Sequence, residues 1–308
     1  MTQINPSHPD TQLRDFEQHR PAMFGLAYRM LGSAMDAEDI VQEAFLRWHR
    51  APAAQVQSAR SYLLTIVTRL CIDELRSARA RREAYVGPWL PEPLVQGVAG
   101  DAGPAIEQAA SLSFAFLLLL ERLTPLERAV LILHDVFEYP YDEVAQLIGT
   151  NTPHCRQLGH RARGRVTAGR ARFPAAPAQA EQAAELFARA FMDGDIAGLL
   201  ALFAQDIALW TDGGGKVAAA RNVVHGAERV ARFFAGLQRK AVVVPAYRRA
   251  LINGAPGLIG YTAEQADRIY SFDVRPDGRI QAIYCVRNPD KLWAAQHIRM
   301  EDTNDPAD

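Results

Sequence analysis

The stretch Leu123–Arg163 reads LTPLERAVLILHDVFEYPYDEVAQLIGTNTPHCRQLGHRAR. Thr124-Pro125-Leu126-Glu127 supplies an N-cap, a proline at the first helical position and a glutamate three residues after the cap, so a helix begins there. Tyr141–Ile148 reads as a second, short helix stopped by Gly149, and Asn151 caps a third that runs through Arg163. Short helices joined by a glycine turn form a helix-turn-helix. In the third helix Cys155, Leu158 and Ala162 share one face, which leaves Thr152, Pro153, Arg156, Gln157 and His160 pointing outward. Arginine can grip guanine through two hydrogen bonds and glutamine adenine, while Arg161 and Arg163 suit phosphates. The plainer alternative is a helical hairpin with an arginine-rich surface.

Working outward, 308 residues of which 49% are apolar are enough for two or three domains. No apolar run approaches the roughly 18 residues that span a bilayer, and the start is polar, so a cytoplasmic protein without a membrane partner is expected. Cys71, Cys155 and Cys285 are odd in number and far apart, which indicates neither disulfides nor a metal site. No cofactor motif is present either. The net charge of −1 hides its distribution, because every lysine (Lys216, Lys240, Lys291) lies in the last third. Arginines bunch at Arg76, Arg79, Arg81 and Arg82, then from Arg156 through Arg161, Arg163, Arg165, Arg170 and Arg172 with no acid between. Two basic patches point to two DNA-contacting modules; solvated helix ends are the alternative.

The periodicity is helical from Leu13 to Arg82, and the boundaries read as residues 10–83 for this first domain. Residues 84–105, with Gly87, Pro88, Pro91, Pro93, Gly97, Gly100 and Gly103, form a linker. Helical spacing resumes over 106–172. A third domain, 178–293, starts with helices near Glu181–Met192 and Ile196–Phe203. Strands then follow at Ile207–Thr211, Ala241–Ile252, Leu258–Tyr261, Ala266–Val274 and Ile280–Val286, read as a curled antiparallel sheet. The fold class is therefore multidomain: two all-α domains followed by an α+β domain.

Asp36-Ala37-Glu38-Asp39-Ile40-Val41-Gln42-Glu43-Ala44-Phe45-Leu46-Arg47 resembles the most recognisable stretch of sigma factor region 2. Ile40, Val41, Ala44, Phe45 and Trp48 make its apolar stripe, and Asp39, Gln42 and Glu43 an exposed acidic ridge. The resemblance implies that this ridge docks on the clamp helices of the polymerase largest subunit. It also implies that the next helix, with Thr65, Thr68, Arg69, Asp73 and Arg76 as its polar stripe, handles the melted promoter strand. The loop of about Arg50–Arg60 would then capture a flipped base, with Tyr62 as the stacking candidate.

Regions 2 and 4 alone, split by a breaker-rich linker, resemble the extracytoplasmic-function group. Three strings narrow the match: Trp89-Leu90-Pro91-Glu92-Pro93-Leu94, Asp212-Gly213-Gly214-Gly215-Lys216 and Asn288-Pro289-Asp290-Lys291-Leu292. They look like the signature of a subgroup with a fused SnoaL-like (polyketide-cyclase-like) domain. The implied partners are RNA polymerase core, through clamp helices and flap, and promoter DNA. The implied role of Trp89, Pro91, Pro93 and the other two strings is regulation in cis. Asn151-Thr152-Pro153-His154 departs from the serine cap common in relatives.

Without the family, Asp-Gly-Gly-Gly-Lys lacks the Walker spacing and reads as a glycine turn. Trp89 reads as an anchor for the linker or as an aromatic in a spacer. The competing functions for the third domain are a small-molecule sensor and a cyclase- or isomerase-like enzyme using Asp212, Tyr261 or His225. No spacing assembles those three, so no catalytic residue is expected.

Overall fold

The computed structural model describes residues 9–51, 56, 58–96, 113–169, 175–239, 246–262 and 265–296. They divide into two compact bodies. One holds the chain up to Glu83 and from Phe116 to Arg170; the other holds the linker from Ala84, residues 112–115 and everything from Ala171.

The first body is helical. It begins with α1 (Pro9–Leu31), α2 (Ala34–His49) and α3 (Ala59–Glu83). Ser33 caps α2 by accepting from the Asp36 amide at 3.2 Å. Ala37, Val41, Ala44 and Trp48 are then buried at helical spacing, while Ile40 and Phe45 are half-buried. The helices α4 (Phe114–Leu120), which belongs to this body from Phe116 onward, and α5 (Pro125–Leu131) follow, and α5 runs into a π-helical turn, Ile132–Val136. The expected capping box opens α5: the Thr124 amide donates to Glu127 Oε2 at 3.0 Å, and the Glu127 amide to Thr124 Oγ1 at 3.3 Å. The next two helices are α6 (Tyr141–Ile148) and α7 (Thr152–Gly169). Gly149 closes α6 in the left-handed region, φ 71°, and Asn151 Oδ1 accepts from the His154 amide at 2.9 Å to open α7.

What joins these helices into one body is a shared interior. Met23, Leu26, Tyr28, Leu63, Val67, Val130, Ile132 and Leu133 are all fully buried, each side chain contributing about 1.5–3 kcal/mol. Through this interior runs Arg128, 2% exposed, donating to the Met30 carbonyl at 2.5 Å and to Glu121 at 2.8 Å.

In the second body, α8 (Pro177–Met192), α9 (Ile196–Leu202) and α10 (Ala227–Arg239) pack on a sheet around Phe187, Phe191, Phe234, Leu199 and Ile283. The strands are β1 (Val95–Gln96), β2 (Phe203–Asp212), β3 (Val224–His225), β4 (Ala246–Ile252), β5 (Ala255–Thr262), β6 (Gln265–Val274) and β7 (Ile280–Val286), in the order β1-β4-β5-β6-β7-β2-β3. A 3₁₀ turn, Pro289–Lys291, and α11 (Trp293–Gln296) follow.

Two findings correct the expected sheet. It is not wholly antiparallel, because β2 and β7 pair in parallel. The chain leaves β2 and completes β3, α10 and the β4-β5-β6 meander before returning, and only such a long crossover permits parallel neighbours. The linker also contributes a strand: Val95 and Gln96 pair antiparallel with Ile252 and Leu251. Two residues are too few to show a period. Residues 241–245 of the expected strand Ala241–Ile252 lie outside the described residues, as do linker residues 97–105.

Candidate functional site

On α2 the ridge stands as expected in exposure: Asp39 and Gln42 are exposed and Glu43 is partly so, its carboxylate held by Arg47 at 2.8 Å. Met35 and Leu46, one turn outside it at either end, are 54% and 49% exposed. The ridge is thus acidic in the middle and apolar at its ends.

On α3 the exposed polar stripe needs correcting. Thr68 is fully buried and donates to the Leu64 carbonyl at 2.7 Å. Thr65, half-buried, donates to the Ser61 carbonyl at 2.6 Å. A threonine that bonds back to residue i−4 satisfies its own hydroxyl and can face an apolar neighbour, which polarity alone could not reveal. Arg69 is exposed, with Nε 3.4 Å from the Leu147 carbonyl at the end of α6. Arg76 is exposed beside Asp73 at 3.4 Å. Tyr62 is half-buried and packs against Trp48, ring centroids 5.8 Å apart. The side chains of Arg79, Arg81 and Arg82, residues 52–55 and 57 of the loop, and Arg170 and Arg172 lie outside the described residues.

On α7 the two faces separate as the spacing requires. Cys155, Leu158 and Ala162 are buried; Pro153, Arg156, Gln157 and His160 are exposed and Thr152 half-buried. Arg156, Gln157, His160 and Arg161 line a shallow open groove. Arg161, Arg163 and Arg165 are engaged within the body. Arg161 lies 3.5 Å from the carboxylate of Glu127, which Arg165 also binds. Arg163 forms a two-pronged pair with Asp135, Nε–Oδ2 2.8 Å and Nη2–Oδ1 2.5 Å. These hydrogen bonds hold its guanidinium pKa above the usual value.

In the second body the three signature strings meet at one carboxylate. Asp212, at the end of β2, is fully buried. Its Oδ1 accepts from Tyr85 OH at 2.5 Å and the Gly214 amide at 3.0 Å, and its Oδ2 from the Leu90 amide at 2.9 Å and Lys291 Nζ at 2.7 Å. Four donors fill the lone-pair sites of an ionised carboxylate. Lys291 also donates to the Leu90 carbonyl at 2.6 Å. Its ammonium sits 4.4 Å from the Trp89 ring centroid and 5.1 Å from that of Tyr85, a cation held between two π-faces.

Asn288 completes the ring. Its Nδ2 donates to Tyr85 OH at 3.0 Å, and burial followed by the bond to Asp212 raises the Tyr85 pKa. Gly214 has φ 62°, and a Cβ there would come within 2.5 Å of the Asn288 side chain, so only glycine fits. Lys216, by contrast, makes an open pair with Asp290 at 2.6 Å.

Beyond this clasp the linker stays docked. Pro91 and Pro93 are buried. Trp293 Nε1 donates to Glu92 at 2.7 Å, and the Leu94 amide donates to Asn253 Oδ1 at 3.1 Å. Tyr85, Asn253 and Trp293 lie outside the three strings, and Glu92 sits within one of them without an expected role of its own. Asn253-Gly254 did carry a signal: both residues have positive φ, 51° and 73°, as the two-residue turn between β4 and β5 demands.

The side chains weighed for acid–base chemistry are not assembled. Asp212 is consumed by the clasp, His225 is exposed on β3, and Tyr261 is buried on β5, with β6 and β7 lying between β5 and β2. Among the described residues no helix is long and apolar enough to cross a membrane, and no cluster of side chains could hold a metal.

The model of Sigma-70 region 2 matches residues 16–81 and that of Sigma-70, region 4 matches residues 113–166. The chain is similar to the ECF RNA polymerase sigma factor SigJ of Mycobacterium tuberculosis, 40% identical over 294 residues that cover 91% of this chain and 93% of the relative. It is 36% identical over 220 residues to a probable ECF sigma factor, SigI, of the same species, covering 69% and 72% of the two chains. The crystal structure of M. tuberculosis SigJ superposes with a TM-score of 0.73 at 35% identity, covering 91% of this chain and 98% of that one.

Proposed function

This chain belongs to the extracytoplasmic-function RNA polymerase sigma factors, and from that premise we propose that its third domain governs initiation in cis by clasping the linker between regions 2 and 4. As a member of that family the protein directs RNA polymerase core to promoters and initiates transcription. The observation that carries the regulatory reading is the buried Asp212 centre. It draws Tyr85 and Leu90 from the linker and Lys291 from the chain's end onto one carboxylate. Tethering makes this docking intramolecular, so contacts worth a few kcal/mol bias the populations of clasped and released linker.

The finer partner assignments are those the family resemblance implies, and the exposure and charge of the residues support them. Asp39, Gln42 and Glu43 face the basic clamp helices, with region 4 on the flap. Arg156, Gln157 and His160, flanked by Thr152 and Pro153, read the upstream promoter element in the major groove. Arg69 and Arg76 are exposed on α3 and contact the promoter backbone near the melted strand. Thr68 and Thr65 join them only in a conformation where their helix face is uncovered.

Run-off transcription with purified core tests the regulatory reading. Truncation just before Asn288 removes Asn288, Lys291 and Trp293 and should change the transcript yield several-fold, in the upward direction. Unchanged yield after that truncation, together with unchanged yield after truncation before Asp212, overturns it.

A further inference from the structure

Arg163 occupies a place on α7 where a phosphate contact is expected, yet its guanidinium is already gripped on both prongs by Asp135. Asp135 sits on the π-helical turn Ile132–Val136, which is closed by the Phe137 amide donating to the Ile132 carbonyl at 3.1 Å. Such a turn displaces side chains from ordinary helical spacing and is often found where one must be aimed.

A second contact lies one helical turn earlier on the same side of α7. Gly159 is buried against Tyr141, and a Cβ there would lie 2.7 Å from the tyrosine oxygen. The Tyr141 ring stacks on His134 at 3.9 Å, and the Arg163 guanidinium lies 5.9 Å from that ring's centroid. Gly159 and Arg163 therefore rest on one continuous seat formed by His134, Asp135 and Tyr141.

This seat adjoins the exposed face that carries Arg156, Gln157 and His160. A side chain reaching about 6 Å from a helix axis moves by roughly 1 Å for each 10° of roll about that axis. Two-pronged base contacts do not tolerate such a shift.

We propose that Arg163 is a strut rather than a phosphate contact, and that Asp135 acts through it as a positioning residue that sets the roll of α7 and hence promoter-base discrimination. The proposal rests on the base-reading role of Arg156 and Gln157 given above. The pair is partly exposed, with side-chain exposures of 30% for Asp135 and 43% for Arg163. A partly exposed pair is a small term beside the fully buried apolar interior of this body, so its removal leaves the body folded.

The experiment uses the full chain with polymerase core on a cognate promoter and single-base variants of its upstream element, across a salt series. Asp135→Asn and Arg163→Ala should each compress the preference for the cognate sequence by about five- to tenfold, the range of a weakened base contact. The salt slope should not change, and the double variant should be no worse than either single. Exchanging the pair, Asp135→Arg with Arg163→Asp, should restore discrimination, and Gly159→Ala should reproduce the loss.

A phosphate-contacting Arg163 gives the opposite pattern. Arg163→Ala then weakens all promoters alike and lowers the salt slope by about one, while Asp135→Asn tightens binding by freeing the arginine. That result, or undiminished discrimination in both single variants, overturns the strut. Arg156→Ala serves as the reference: if it too leaves base preference intact, the base-reading role fails, whatever Asp135 and Arg163 do.

Discussion

The clasp around Asp212 and the outer face of α7 are both built from charged side chains, and they use them in opposite ways. At Asp212 every acceptor site is filled from within the body and the carboxylate is fully buried. On α7, Arg156, Gln157 and His160 are exposed around an open groove. A buried charge is tolerable only when its partners are fixed, so the clasp holds the linker in place. An exposed arginine keeps its hydrogen-bonding capacity for an outside partner.

The largest effect should come from breaking the clasp at its centre. Asp212→Ala removes the buried carboxylate that pairs with Lys291, whose side chain is only 11% exposed, and also deprives Tyr85 and the Leu90 amide of an acceptor. Loss of one member of a buried pair costs about 3–5 kcal/mol. Denaturant unfolding monitored by the tryptophans should show that loss in the second body. A change below about 1 kcal/mol would mean that the linker is held elsewhere.

The matching change on α7 reverses the readout. Arg156→Ala should leave the unfolding midpoint within about 0.5 kcal/mol of the parent. It should cost about 1–3 kcal/mol of preference at one base pair of the upstream element, measured by competition between promoter variants. A stability loss as large as that of Asp212→Ala would erase the contrast between the two regions.

The contrast also bounds what could be read in the amino-acid order. Caps, the glycine stop and the apolar spacing of α7 were legible because local geometry alone decides them: Thr124, Gly149 and Asn151 act within a few residues of themselves. The strings around Trp89, Asp212 and Asn288 could be singled out, but not the convergence of Tyr85, Leu90 and Lys291 on one carboxylate. Those contacts join residues more than 70 positions apart. Thr68 escaped because its hydroxyl is satisfied by its own helix. The parallel β2–β7 pair escaped because strand periodicity carries no information about direction.

A third, smaller effect is set by pH. Burial pushes the Asp267 carboxyl up, but the neighbouring Arg268 and Arg287 outweigh it and hold the group below the usual carboxylate range. A carboxyl depressed in the folded state stabilises the protein above its unfolded pKa, and that contribution is lost as pH falls through the folded value. The melting temperature of the second body should therefore drop on acidification from about pH 6 to pH 3. Asp267→Asn should lower it at neutral pH and flatten the acid-side fall. An unaltered acid profile in that variant would place the sensitivity on other carboxylates.

The smallest effect tests whether burial, rather than membership of a signature string, ranks these residues. Lys216 ends the same Asp-Gly-Gly-Gly-Lys string that Asp212 begins, yet its pair with Asp290 leaves the two side chains 55% and 58% exposed. An exposed ion pair gains little Coulomb energy in water and loses side-chain entropy, so it contributes about 0.2–1 kcal/mol and weakens as salt screens it. Lys216→Ala should lower the melting temperature by about 1–2 °C at low ionic strength, and the difference should vanish near 0.5 M salt, where screening reaches only about 4 Å. Asp212→Ala should be nearly insensitive to the same salt, because its partners are already shielded from solvent. Equal losses from both substitutions, with equal salt dependence, would show that the ends of the string act as one unit and that solvent exposure does not rank them.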